Sequence, residues 1–109
     1  MTQKEAIALA STMRPHVLPE ELLSRFLAEL EGRVETEIHK ATGRKKPTFV
    51  HTKNPRFSVG APYDRLYWTY LVAMIDLTVG DMESYKLSHA LFTEAYGAYA
   101  RYYQRTRGC

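Results

Sequence analysis

The residues of this chain whose chemistry could be catalytic or metal-binding are four histidines, one cysteine and one acid inside an apolar run. His16, His39, His51 and His89 form no H-x-x-x-H pair, and none neighbours Cys109, the lone cysteine. A zinc site would have to gather its ligands from remote segments, so neither a metal nor a cofactor is expected. Asp76 is the only acid in the run 66–77. Burial of such a carboxyl favours its neutral form and would suit it to acid–base work. An unpaired buried carboxylate is costly, however, so Asp76 is expected to face water or to accept a bond from a tyrosine hydroxyl. No G-x-S-x-G, P-loop or G-x-G-x-x-G occurs. The chain is not expected to be an enzyme; one built on Asp76 and a histidine would need a pocket that brings them together.

The distribution of charge is more informative than the net +3. Residues 1–42 carry a small acidic excess and residues 62–109 are balanced, so the basic excess lies wholly in 43–61. That segment holds Arg44, Lys45, Lys46, Lys53 and Arg56 with no acid, interleaved with Phe49, Phe57, Pro47 and Pro55. It could meet phosphates or an acidic protein surface, or it could be a solvated loop that keeps the chain dispersed. No helix carries the basic, base-reading pattern of a DNA recognition helix. The second cluster is aromatic. All eight tyrosines lie in the second half, where a large ring with one polar tip suits surfaces that are part core and part contact. Tyr96 and Tyr99 read as core. Tyr102 and Tyr103, set among Arg101, Arg105 and Arg107, read as a partner-binding surface of the composition enriched at hot spots.

The elements that must position these groups follow from apolar spacing. A length of 109 residues fits one domain, 1–109, with an all-α fold: a small bundle of about four helices. The first spans 2–13, opened by Thr2 and Glu5 at capping-box spacing and stopped by Pro15. The second spans 19–42, with Pro19 at its first position, apolar residues at three- and four-residue intervals, and Gly43 as its stop. Gly32 within it suggests a close packing point. Then comes the long basic loop, in which 48–50 and 56–59 could pair as a short β-hairpin. The third helix begins around Pro62, is apolar on nearly every face and ends at Gly80, so it is the expected centre of the fold. The fourth spans 81–107 with Asp81 as N-cap; its stripe is Met82, Tyr85, His89, Phe92, Tyr96, Tyr99 and Tyr103, widened by Leu91, Ala95, Ala98 and Tyr102. Helices three and four should form an antiparallel hairpin. The longest apolar run is about a dozen residues, short of the roughly 20 that cross a bilayer. The amino terminus lacks the basic-then-apolar pattern of a leader, and the single cysteine fits a reducing compartment.

The run Pro62-Tyr63-Asp64-Arg65-Leu66-Tyr67-Trp68-Thr69-Tyr70-Leu71-Val72-Ala73-Met74-Ile75-Asp76-Leu77, followed by Gly80-Asp81 and Ser84-Tyr85, resembles the head–tail connector (adaptor) proteins of tailed bacteriophages and prophages. Leu91-Phe92-Thr93-Glu94-Ala95-Tyr96, Tyr99-Ala100-Arg101-Tyr102-Tyr103-Gln104-Arg105-Thr106 and Phe26-Leu27-Ala28-Glu29-Leu30-Glu31-Gly32-Arg33-Val34 extend the likeness, which is least in 43–61. The resemblance implies a non-enzymatic virion protein, assembled in the bacterial host cytoplasm. It would be monomeric when free and would join a ring between the portal protein and the tail or its stopper. On that basis the end of the last helix would engage the portal or a neighbouring subunit. The basic loop would face the stopper, a neighbour or DNA. The alternative of another class is a small helical DNA-binding or DNA-packaging accessory protein that uses the basic loop.

Overall fold

In the computed structural model of the chain, residues 1–39 and 57–107 are described, Arg107 by its backbone alone. The architecture is all-α: α1 (Gln3–Met13), α2 (Glu20–Glu37), α3 (Arg65–Val79) and α4 (Met82–Arg107). No strand occurs among the described residues, and no described helix is long and apolar enough to cross a membrane.

The caps explain most of the boundaries. The Thr2 hydroxyl accepts the Glu5 N–H at 3.3 Å, while the Thr2 N–H donates to the Glu5 carboxylate at 2.8 Å. This reciprocal pair satisfies two amides that the first turn leaves orphaned. Ala6 and Ala10 are buried, and their small side chains let α1 lie close to its neighbours. Pro19 is the N-cap of α2, one position earlier than its spacing suggests. That helix ends at Glu37, short of Gly43. The amides of Ile38 and His39 both close on the Val34 carbonyl at 3.0 Å, turning the chain so that the His39 side chain meets Glu35 and Tyr99. Gly32 is not a close packing point: a Cβ built there meets open space. Residues 60–63 form a turn closed by the Tyr63 N–H on the Gly60 carbonyl at 3.0 Å, which delays α3 until Arg65.

α3 packs against each of the other three helices. Leu66, Tyr67, Thr69, Leu71, Val72, Ala73, Ile75 and Asp76 are all buried along it, as an element surrounded by neighbours must be. Gly80, at φ 84°, ends it in the left-handed region that favours glycine, and α4 returns antiparallel. Asp81 caps α4 by accepting the Ser84 N–H at 3.2 Å and its hydroxyl at 2.8 Å, and these bonds hold the Asp81 carboxyl below its ordinary value.

Three expectations require correction. Asp76 neither faces water nor meets a tyrosine. It is fully buried, accepts the Ser88 hydroxyl at 2.8 Å and is paired with Arg14 of the chain that leaves α1. The Arg14 Nε lies 2.7 Å from one carboxylate oxygen but off the line of a hydrogen bond, while its Nη2 donates to the other oxygen at 3.3 Å. The need for a donor draws Ser88 inward, and the buried stripe of α4 is accordingly Ser88, Phe92, Ala95 and Tyr99, with Met82, His89 and Leu91 exposed. The hairpin does not form as expected on its described side: the amides of Phe57, Ser58 and Val59 donate to the Met1 carbonyl, the Glu31 carboxylate and the Tyr67 hydroxyl. Its other arm, 48–50, and Arg56 lie outside the described residues.

Two stability measurements test these contacts. Arg14→Ala leaves the Asp76 carboxylate buried without its counter-charge, and urea unfolding should show a loss on the order of 3 kcal/mol. Gly32→Ala adds a methyl where there is room inside a helix and should raise stability by about 0.5–1 kcal/mol; a loss would place that position in a contact the structure does not contain.

Candidate functional site: a tyrosine seam and groove

α4 is the longest element. Its 26 residues span about 39 Å against about 22 Å for α3 at 1.5 Å per residue. Because the pair is antiparallel from Gly80, the last turns of α4 run past the start of α3. Those turns need other partners, and α2 supplies them through two matching sets of side chains. In the first, Arg33 Nε donates to Glu37 at 3.0 Å, the Tyr96 hydroxyl donates to the same carboxylate oxygen at 2.6 Å, and the guanidinium sits 4.8 Å from the centre of the Tyr96 ring. In the second, one turn further along α4, His39 lies between the Glu35 carboxylate, at 3.0 Å from Nδ1, and the Tyr99 hydroxyl, at 2.6 Å from Nε2. Its ring also packs on Tyr103, with centroids 4.8 Å apart. Each set joins an i,i+4 pair, Arg33–Glu37 within α2 and Glu35–His39 at the turn that ends it, to a tyrosine hydroxyl on α4, so the seam is polar and aromatic rather than aliphatic.

Beside this seam, and sharing Tyr99 and Tyr103 with it, the overhang faces the chain that leads into α3. There, Ser58 and residues 60–63 on one side, and Tyr99, Tyr102, Tyr103 and Thr106 on the other, enclose an open groove of about 460 Å³. Tyr63 stacks on Tyr102 at 4.6 Å and touches Tyr99 at 5.9 Å. The groove wall is held by a buried carboxylate. Glu31, 5% exposed, accepts the Ser58 N–H at 2.8 Å and the Tyr67 hydroxyl at 2.7 Å. Tyr67 in turn accepts the Val59 N–H at 3.2 Å and stacks on Phe57 at 4.1 Å. The segment 57–59 is therefore fastened to α2 and α3 before it reaches the groove.

Burial and neighbouring carboxylates act together on the tyrosines. Tyr67 is pushed well above the ordinary phenol value by burial and then by Glu31. Tyr96 is raised by burial and then by Glu37. Tyr99 is pushed up to about 12 by burial, with Tyr103, Glu31, Tyr102 and Glu35 adding to it. Glu37 is shifted down, first by the Tyr96 hydroxyl and then by Arg33.

Of the residues singled out in the sequence, Tyr102 and Tyr103 share the groove, with Tyr102 at 38% exposure. Arg101 and Arg105 are exposed; counted round the helix from Tyr99 at about 100° per residue, they lie toward its outer side. The side chain of Arg107, and all of Arg44, Lys45, Lys46, Lys53 and Arg56, lie outside the described residues. Tyr99 is core, and Tyr96 is half-buried. Four contributors escape a reading by periodicity: Glu31, Glu35, His39 and Tyr63. Glu31 alone leaves a trace, an acid one place beyond Leu30 and four beyond Leu27 within the buried stripe of α2. Among the described residues no three His, Cys, Asp or Glu side chains group as metal ligands, and the side-chain partners of Asp76 are Arg14 and Ser88 rather than a histidine. The arrangement exposes aromatic faces and hydroxyls along an open groove. Compared with known families, curated proteins and solved structures, the chain finds no match in any of the three.

The raised tyrosines fix the sign of a pH effect. A phenol whose folded value lies above its unfolded value of about 10 stabilises the fold below that pH and loses this contribution as pH rises through the folded value. Unfolding followed by circular dichroism should therefore begin above about pH 10 and coincide with the rise in tyrosinate absorbance. Tyr67→Phe, which strips a donor from Glu31 and an acceptor from Val59, should cost about 2 kcal/mol at neutral pH.

Proposed function

We propose that the chain is a non-enzymatic head–tail connector of a tailed bacteriophage or prophage, a virion protein that docks on the portal ring and links the capsid vertex to the tail or its stopper. Its place would be the virion, after assembly in the bacterial host cytoplasm. The observation that carries this reading is the α4 overhang, which extends beyond α3 and presents Tyr102 and Tyr103 beside an open groove. A helix end that outruns its own bundle, with tyrosine and arginine on it, suits capture by another protein surface. The resemblance of 62–106 to connector proteins points the same way. Self-association into a ring on the portal would multiply contacts that are individually weak, which agrees with a monomer in solution.

The alternative, a small helical DNA-binding or packaging accessory protein, rests on the five cations and absent acids of 43–61. Gel shifts across a salt series separate the two, since phosphate contacts lose affinity steeply with salt.

Mixing the purified chain with the portal ring and imaging by electron microscopy tests the first reading. Intact protein should decorate the ring. Tyr102→Ala should weaken decoration by about tenfold or more, and truncation after Tyr99 should abolish it. Normal decoration by the truncated, folded chain would remove the α4 tip from the interface.

A further inference from the structure

At the opposite end of the α3–α4 pair from the groove, apolar side chains are exposed together. Around Gly80, Leu77 is 40%, Val79 57% and Met82 50% exposed. Asp81 and Glu83 are exposed beside them. This end thus presents apolar side chains flanked by carboxylates. The groove end presents tyrosine faces with the exposed Arg65 close by, the adjacent Asp64 being paired with the Met1 amino group at 3.6 Å. Arg65 stands two residues from Tyr63 in a first turn that holds no acid, and no ion pair with it exists among the described residues. The final turns of α4, 95–107, carry Arg101, Arg105 and Arg107 with no acid at all. A cation in the first turn of a helix lies against the positive end of its dipole, so Arg65 gains nothing from its own element and is suited to an external anion.

The two ends cannot meet within one molecule. From Met82 to Tyr102 the helix alone covers about 30 Å, and the molecule is 42 Å along its longest axis. We propose that the α3–α4 turn of one copy seats in the tyrosine groove of the next, Val79 and Met82 against Tyr63 and Tyr102, with Glu83 facing Arg65. Such a contact joins two different patches, so it is heterologous and propagates head to tail, giving a ring when the rotation closes. The inference deepens the connector reading, from which it takes the ring. The groove is small beside the roughly 800 Å² per partner of a stable complex. The contact is therefore weak in dilute solution and becomes populated where copies are held side by side.

Directed cross-linking tests this pairing. In a Cys109→Ser background, Val79→Cys protein is mixed with Tyr63→Cys protein under mild oxidation, free at high concentration and again on the portal ring. The mixed disulfide should exceed the statistical yield, and the double variant Val79→Cys/Tyr63→Cys should give a ladder of higher oligomers. Arg65→Glu and Glu83→Arg should each weaken self-association by about tenfold, read by sedimentation velocity, and the two together should restore it. Circular dichroism of each variant checks that the fold persists. A dominant symmetrical Val79→Cys disulfide, no mixed product in either setting, or no rescue by the charge swap overturns the inference; a groove filled by a portal segment would give the second of these. A chain that forms the mixed product but never decorates the portal keeps this contact and removes the connector reading. Decoration without the mixed product does the reverse.

Discussion

Two buried carboxylates organise this fold, because a carboxylate shut away from water must find its donors inside the protein. Asp76, near the end of α3, draws Arg14 from the chain after α1 and Ser88 from α4. Glu31, in the buried face of α2, draws Tyr67 from the start of α3 and the Ser58 amide from the chain that precedes it. The two sites lie at opposite ends of α3. Apolar burial alone would let helices slide or rotate past one another at modest cost. The carboxylates make particular pairings necessary, since each misplacement strands a polar group. Buried ionic groups add little net stability; here their effect is to set which helix faces which.

That division explains what could be read in the chain beforehand. The Thr2–Glu5 box, the Gly80 turn, the Asp81 cap and the surrounded third helix are local or periodic features, and they were legible because their causes lie within a few residues. The end of α2 was not. Gly43 is a sound local stop, but His39 turns away earlier to reach Tyr99, sixty positions further on. Ser88 is equally opaque: it looks like a polar interruption of an aromatic stripe until Asp76 is seen to require a hydroxyl. Tyr102 and Tyr103 could be singled out from composition, and both line the groove. Their partner Tyr63 could not, because the groove exists only where residues 60–63 fold back beneath a helix that begins twenty residues later.

The seam between α2 and α4 has consequences of its own. Aliphatic interfaces are non-directional and tolerate small shifts, whereas hydrogen bonds weaken steeply once misaligned. Holding the α4 overhang by Arg33–Glu37–Tyr96 and Glu35–His39–Tyr99 fixes its bearing with few buried methyl groups. Seam and groove adjoin on α4, Tyr99 and Tyr103 belonging to both, so the bonds that hold the overhang also fix one wall of the groove. A rigid tip with an open face is what a docking element requires, as ordering costs are then already met before contact.

The ends of the molecule differ in the way that directional assembly needs. A protein built for a two-fold dimer presents one self-complementary patch. This chain presents two unlike ones, tyrosine and cation at the overhang, aliphatic side chains and carboxylate at the turn, separated by the length of α4. Each would be a poor match for itself, because like charges would meet across the axis. The same helix hairpin that buries the core therefore keeps the two patches apart. Its length, rather than any single side chain, prevents the molecule from satisfying itself and leaves both surfaces available to others.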